Sequence, residues 1–318
     1  MRRPRLSYSQ SLIVPLLNVS LNRTFIIHAG ADYRLSIVSV SDVQRNRWQQ
    51  DARVTFAIEG APSLLPRTTS AVLLETRYSG QILDHRDANE DMTLLLGLLN
   101  VRLPYALWAP FGVVARGDDM STMTFGETRV PTQMEYHADL NVADYKTFKR
   151  YWRTVSGKSQ QSQRLRRAVS RFSRARSSWW AEDAIVHGFI GLEALFAEHT
   201  TEVGKTVNKV TRRLATFIIP PDASPTVVEL TTLSGHIGEI YKLRHDILHG
   251  ALPDPDKTGQ AAKDTIELLR TAILIAVEEG FKRLKNLPAL AADYTSALDD
   301  ARREEKRLAR RGDGGRKS

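Results

Sequence analysis

Apolar positions along the chain follow two regimes. In the first part they come in short, partly alternating runs. Tyr33–Val40 (YRLSIVSV), Arg53–Glu59 (RVTFAIE) and Ala71–Tyr78 (AVLLETRY) are rich in β-branched residues and read as strands. Trp108–Arg116 and Met123–Arg129 share that character. Asp91–Val101 (DMTLLLGLLNV) is apolar over several turns and reads as a helix despite Gly97. Gly60, Gly80, Gly112 and Gly117 are turn glycines, and no nucleotide-binding glycine pattern occurs. Strands outnumber helices here, so residues 1–140 are expected to form an α+β domain.

Around Pro131–Asn141 the period lengthens, and up to Pro288 nearly every segment is helical. The expected helices are Ala143–Val155, Ser162–Arg176, Ala181–Glu198, Glu202–Ile219, one opened by Pro225 that breaks in two around Gly235 and Gly238, and Lys263–Leu284 after a Pro253–Gly259 loop. Residues 141–288 are therefore expected to form an all-α helical bundle, followed by a basic, partly disordered tail at 289–318. No repeat of fixed period is present.

Within the bundle, Glu239–Pro253 (EIYKLRHDILHGALP) has an unusual helical wheel. At about 100° per residue, Ile240, Leu243, Ile247 and Leu248 form one apolar arc with Arg244 inside it. His245 and His249 share the other side, one turn apart, and Gly250 and Pro253 end the helix. An arginine facing a core needs a partner to offset its desolvation. Glu193 is placed to supply it, because it lies in the apolar arc of Ile185, Phe189, Leu192 and Phe196.

Composition narrows the chemistry. Of 318 residues, 42% are hydrophobic, enough for sizeable cores. The absence of cysteine excludes disulfides, thiolate metal sites and cysteine nucleophiles. No apolar run is long enough to span a membrane, so no membrane partner is expected. The N-terminus is basic and then apolar, but Pro15 interrupts the patch and no small-residue cleavage site follows. It does not read as a secretory signal, and the chain is most simply cytoplasmic. A net charge of +9 concentrates in Gln163–Arg176 and in the tail from Arg302 to Lys317. Arg164, Arg166, Arg167, Arg171 and Arg174 make the first of these an expected RNA-binding face, through phosphates. His187 reads as packed or half-exposed, His236 as surface, and Trp179–Trp180 as a packing anchor or dimer contact.

The stretch from about Ala143 to Leu287 resembles a HEPN domain, in particular the Apea-like branch. Three features carry the likeness: the Arg-(four residues)-His motif at Arg244–His249, its YKLRHDILHG setting with Tyr241 and Gly250, and the earlier run from Asp183 to Phe196 containing Leu-Glu193-Ala-Leu-Phe. The resemblance implies a metal-independent endoribonuclease without cofactors, acting as a homodimer that brings two motifs to one cleft. It implies that Arg244 and His249 are the catalytic pair. His245 fills the polar position after the arginine, and Glu193, Asp246 and Tyr241 support the site. It further implies a toxin-like or antiphage role, with the N-terminal domain sensing a phage or regulatory trigger.

The residues allow the chemistry independently. Cleavage by the 2′-hydroxyl needs a base, an acid for the leaving 5′-oxygen, and a cation near the phosphorane. Imidazoles fill the first two roles, and a helix C-terminus favours His249 as the acid. Arg244 supplies the cation, with Glu193 orienting one edge of the guanidinium and leaving the other to the cleft. Two alternatives stand beside this reading. One is a non-catalytic dimerisation or RNA-binding module of the same fold. The other is a zinc hydrolase using His245-Asp246-x-x-His249, although no histidine follows as a third ligand.

Overall fold

The computed structural model describes residues 10–17, 19–21, 23–39, 70–77, 86–103, 107–108, 111–116, 119–124, 138–178, 180–197, 206–219, 226–279, 281–282, 284, 292 and 294–303. The chain divides into two compact units, Met1–Gly157 with Ser177–Trp179 and Lys158–Arg176 with Trp180–Ser318. The first carries a sheet; the second is helical.

In the first unit, strands β1 (Gln10–Leu17), β3 (Phe25–Ala29), β4 (Tyr33–Ser39), β5 (Ser70–Thr76), β6 (Leu107–Trp108), β7 (Phe111–Arg116) and β8 (Asp119–Thr124) form one antiparallel sheet. Its order is β3-β4-β5-β1-β7-β8, with β6 also paired to β1. β1, central in this sheet, is absent from the strands predicted from sequence. Its Pro15 offers no N–H to the ladder. That residue falls where β1 changes neighbours, between Ile13, paired with Val113 of β7, and Leu16, paired with Trp108 of β6. The expected strand at 53–59 and residues 125–129 of the one at 123–129 lie outside the described residues.

Helix α1 (Arg86–Arg102) begins five residues before its expected start and packs against β5. Its Ala88, Leu95 and Leu98 are fully buried. A short parallel pair, β2 (Val19–Leu21) with β9 (Ala138–Leu140), leads into helix α2 (Val142–Val155). Asn141 caps α2, accepting the N–H groups of Ala143 and Asp144. Expected as part of the bundle, α2 packs on the sheet instead. Its Tyr145 stacks on Phe25 of β3, centroids 5.0 Å apart, and donates its hydroxyl to the Ile26 carbonyl. An apolar helical stripe states that a helix must be covered and leaves the partner open.

The second unit contains α3 (Gln160–Ser177), α4 (Ala181–Phe196), α5 (Thr206–Ile218), α6 (Val227–Leu248) and α7 (Pro255–Glu278). Leu165, Ala168, Val169 and Phe172 of α3 are fully buried, as are Ile185, Phe189, Leu192 and Phe196 of α4. α4 and α7 approach each other closely. A β-carbon on Gly188 would lie 2.3 Å from Thr265 Cγ2, and one on Gly191 would lie 2.6 Å from Leu269 Cδ2. Three larger differences from expectation concern the last two helices. α6 runs unbroken through Gly235 and Gly238. α7 starts at Pro255, because Asp254 caps it and proline suits the first turn. Its end at Glu278 precedes the expected Leu284. Among the described residues no helix is long and apolar enough to cross a membrane.

Candidate functional site

The final turn of α6 organises the site. Thr226 starts the helix with a capping box to Glu229. After 22 helical residues the chain closes on His249, the C-cap. Gly250 takes φ of 83°, its N–H meets the Ile247 carbonyl at 3.0 Å, and the Ala251 N–H meets the Asp246 carbonyl at 3.0 Å. This pair of bonds is a Schellman stop, and the left-handed residue in it favours glycine. The stop fixes His245 and His249 on the last turn. Both are exposed, with ring centroids 4.3 Å apart and planes tilted by 59°.

Arg244 turns the other way, as its phase requires. Its Nη1 lies 3.2 Å from Glu193 Oε1 on α4, and its Nη2 lies 3.4 Å from Oε2. Nη1 also donates to the Tyr241 hydroxyl at 3.2 Å, and that hydroxyl donates to Glu193 Oε1 at 2.5 Å. Side-chain exposure is 15% for Arg244 and 23% for Glu193, so the pair is largely withdrawn from water. Phe189, one turn before Glu193, meets the Tyr241 ring edge-on at 5.0 Å and holds it beneath the carboxylate. Burial, reinforced by the Glu193 carboxylate, pushes the Tyr241 phenol up to about 12.

The expected pairing geometry and the expected open edge are therefore different matters. Glu193 occupies the Nη1–Nη2 end of the guanidinium, and Nε is buried with no hydrogen-bond partner. The side left for phosphate is sheltered rather than exposed. Leu248, assigned to the apolar arc, is 55% exposed, and Leu252 just beyond is 99% exposed. Asp246 is half-buried. Among the described residues no group of three or more histidine and carboxylate side chains is placed to hold a metal ion. His245 and His249 therefore have no third donor there for the zinc arrangement.

On α3, Arg167 and Arg174 are exposed while Arg164, Arg166 and Arg171 are half-buried. Arg171 reaches His187 of α4, Nη1 to Nδ1 at 3.2 Å. Burial lowers the His187 pKa, and the neighbouring Arg171 and Arg174 guanidinia lower it further. His236, read as surface, is exposed and meets Asp264 at 3.0 Å. Arg213 of α5, which carries no sequence signal, is 3% exposed and donates to the Phe196 carbonyl at 2.7 Å, closing the end of α4. Gly188 and Gly191 are not among the expected site residues, yet their i, i+3 spacing on a helix facing another is a legible signal for close packing.

Compared with protein-family models, with curated proteins and with solved structures, the chain matches none of them.

Proposed function

We propose that the helical unit is a HEPN-like, metal-independent endoribonuclease that cleaves RNA by attack of the 2′-hydroxyl. One observation carries this reading. The last turn of α6 carries a guanidinium, braced by Glu193 and Tyr241, on one side and two exposed imidazoles in contact with each other on the other.

Displacement at phosphorus is in line, so the attacking 2′-oxygen and the leaving 5′-oxygen stand on opposite sides. His245 and His249 of one chain lie side by side, on the same side of the turn. The HEPN resemblance implies a homodimer, and in this reading the second copy supplies the opposite group. His245 of one copy takes the 2′-hydroxyl proton as the oxygen bonds to phosphorus. His249 of the other gives a proton to the 5′-oxygen as its bond to phosphorus breaks, leaving a 2′,3′-cyclic phosphate. Arg244 contributes positive charge to the phosphorane, through the one Nη2 hydrogen not directed at Glu193. A toxin-like or defensive role, with the sheet-bearing unit receiving a phage or regulatory trigger, belongs to the same proposal.

The test is incubation of purified protein with single-stranded RNA. Cleavage to cyclic-phosphate ends that survives chelator, and that falls at least about 100-fold in His249→Ala, is the expected result. Binding without cleavage in both proteins would move the assignment to a non-catalytic RNA-binding module. Cleavage abolished by chelator would count against the imidazole mechanism.

A further inference from the structure

Helix α3 carries six arginines and no acidic residue. At about 100° per residue, Arg164, Arg167, Arg171 and Arg174 fall within roughly 80° of arc, spread over about 15 Å of helix. Such a stripe on a surface helix is ordinarily interrupted by carboxylates at i+3 or i+4. Here the position opposite Arg171 is taken by an imidazole, His187.

The hydrogen bond between them determines its protonation. A guanidinium only donates, so Nδ1 of His187 must accept, and the ring is neutral with its proton on Nε2. Facing this ring are Arg171 and Arg174 from α3 and Asp183 from its own helix. α7 meets this helix at Gly188 and Gly191 through Thr265 and Leu269, neither of which titrates. If His187 takes a proton from solvent, its Nδ1 becomes a donor and the Arg171 bond is lost. Two donors then converge with Asp183, from the ring's own helix, as the acceptor named near them, and a phosphate anion is what bridges both.

We infer that Arg171 and His187 form a backbone-phosphate site for single-stranded RNA, with Arg167 and Arg164 continuing the track, and that occupancy is coupled to protonation of His187. The inference rests on the ribonuclease reading for its choice of polyanion. It adds a histidine outside the catalytic turn as a binding residue and makes RNA capture tighter in mildly acidic solution.

The experiment uses the full-length protein and a fluorescein-labelled 2′-O-methyl RNA strand, which binds but cannot be cut by its own 2′-oxygen. Affinity is read by anisotropy across a salt series and from about pH 8 down to about pH 5, because burial and the two guanidinia hold His187 below ordinary histidine titration. Arg167→Gln and Arg171→Gln should each weaken binding several-fold and reduce the slope of log K against log salt by about 0.7. Wild-type binding should tighten as pH falls, and His187→Gln should flatten that response. Arg167 is exposed, so its variant keeps the test valid even if the packed Arg171 variant folds poorly. Unchanged slopes in both arginine variants would overturn the site. So would a pH response that survives in His187→Gln, or a poly-glutamate peptide competing as well as RNA. Cleavage is not read here, so loss of the ribonuclease reading with these shifts intact leaves the phosphate site standing, and the reverse holds equally.

Discussion

At Arg244, burial and function pull against each other. A half-buried guanidinium needs a carboxylate, and the carboxylate that satisfies it also competes with any phosphate. Glu193→Gln keeps the shape of that partner and removes its charge. It should destabilise the protein by about 1–3 kcal/mol in urea denaturation, because the guanidinium stays sheltered without compensation. RNA cleavage should fall by about 10-fold if orientation of Arg244 matters. Full cleavage by Glu193→Gln beside an inactive Arg244→Ala would show the brace to be dispensable. Tyr241 gives a second, pH-resolved prediction. Its folded-state pKa of about 12 lies above the ordinary tyrosine value, so the native state keeps a proton that the unfolded chain releases first. The stability this contributes is complete below about pH 10 and is lost as pH rises toward 12. Denaturation midpoints should drop more steeply over that window in wild type than in Tyr241→Phe; equal slopes would contradict the environment described for the phenol.

At the level of elements, two glycines have different purposes. Gly188 lets α7 approach α4, since its missing β-carbon would sit 2.3 Å from Thr265 Cγ2. Gly188→Ala should cost about 1–3 kcal/mol by overpacking. Adding Thr265→Ala should recover part of that, and a thermal-melt double-mutant cycle with no coupling would argue against the close contact. Gly250 has open space around it, with nothing within 4 Å of an added β-carbon, but its φ of 83° is left-handed. Gly250→Ala should therefore cost about 1 kcal/mol through backbone strain alone. Its larger effect should fall on cleavage, because the Schellman stop positions His249; a loss of stability with unaltered kcat would separate the cap from the chemistry.

For the whole molecule, the composite site makes a complementation prediction. His245→Ala and His249→Ala should each be inactive alone. Mixed and re-equilibrated, they should regain about one quarter of wild-type activity, since half the dimers pair the two variants and each such dimer rebuilds one of two composite arrangements. No recovery would remove the shared-site mechanism. The division into units is testable too. A fragment starting at Lys158 should melt cooperatively and stay monodisperse, whereas one starting at Asn141 carries α2 without its sheet. The latter should aggregate, because Phe148, Tyr151 and Val155, fully buried or nearly so, lose their cover.

Periodicity alone determined the change from strands to helices, the phase of α6, and the opposition of Arg244 to His245 and His249, because these depend on the order of neighbours along one element. The end of α6 was equally readable, since a glycine after a last basic turn is a local stop signal. Start positions are less so: Pro255 reads as loop in the sequence although a capping aspartate precedes it. Tertiary structure alone decided the rest. β1 became central because its partners on both sides lie far along the chain, and Pro15 fits only where those partners change. α2 went to the sheet because its stripe is satisfied by whichever apolar surface reaches it. The guanidinium edge at Arg244 and the imidazole facing Arg171 were set by how two helices meet, and a single strand of sequence has no term for that distance.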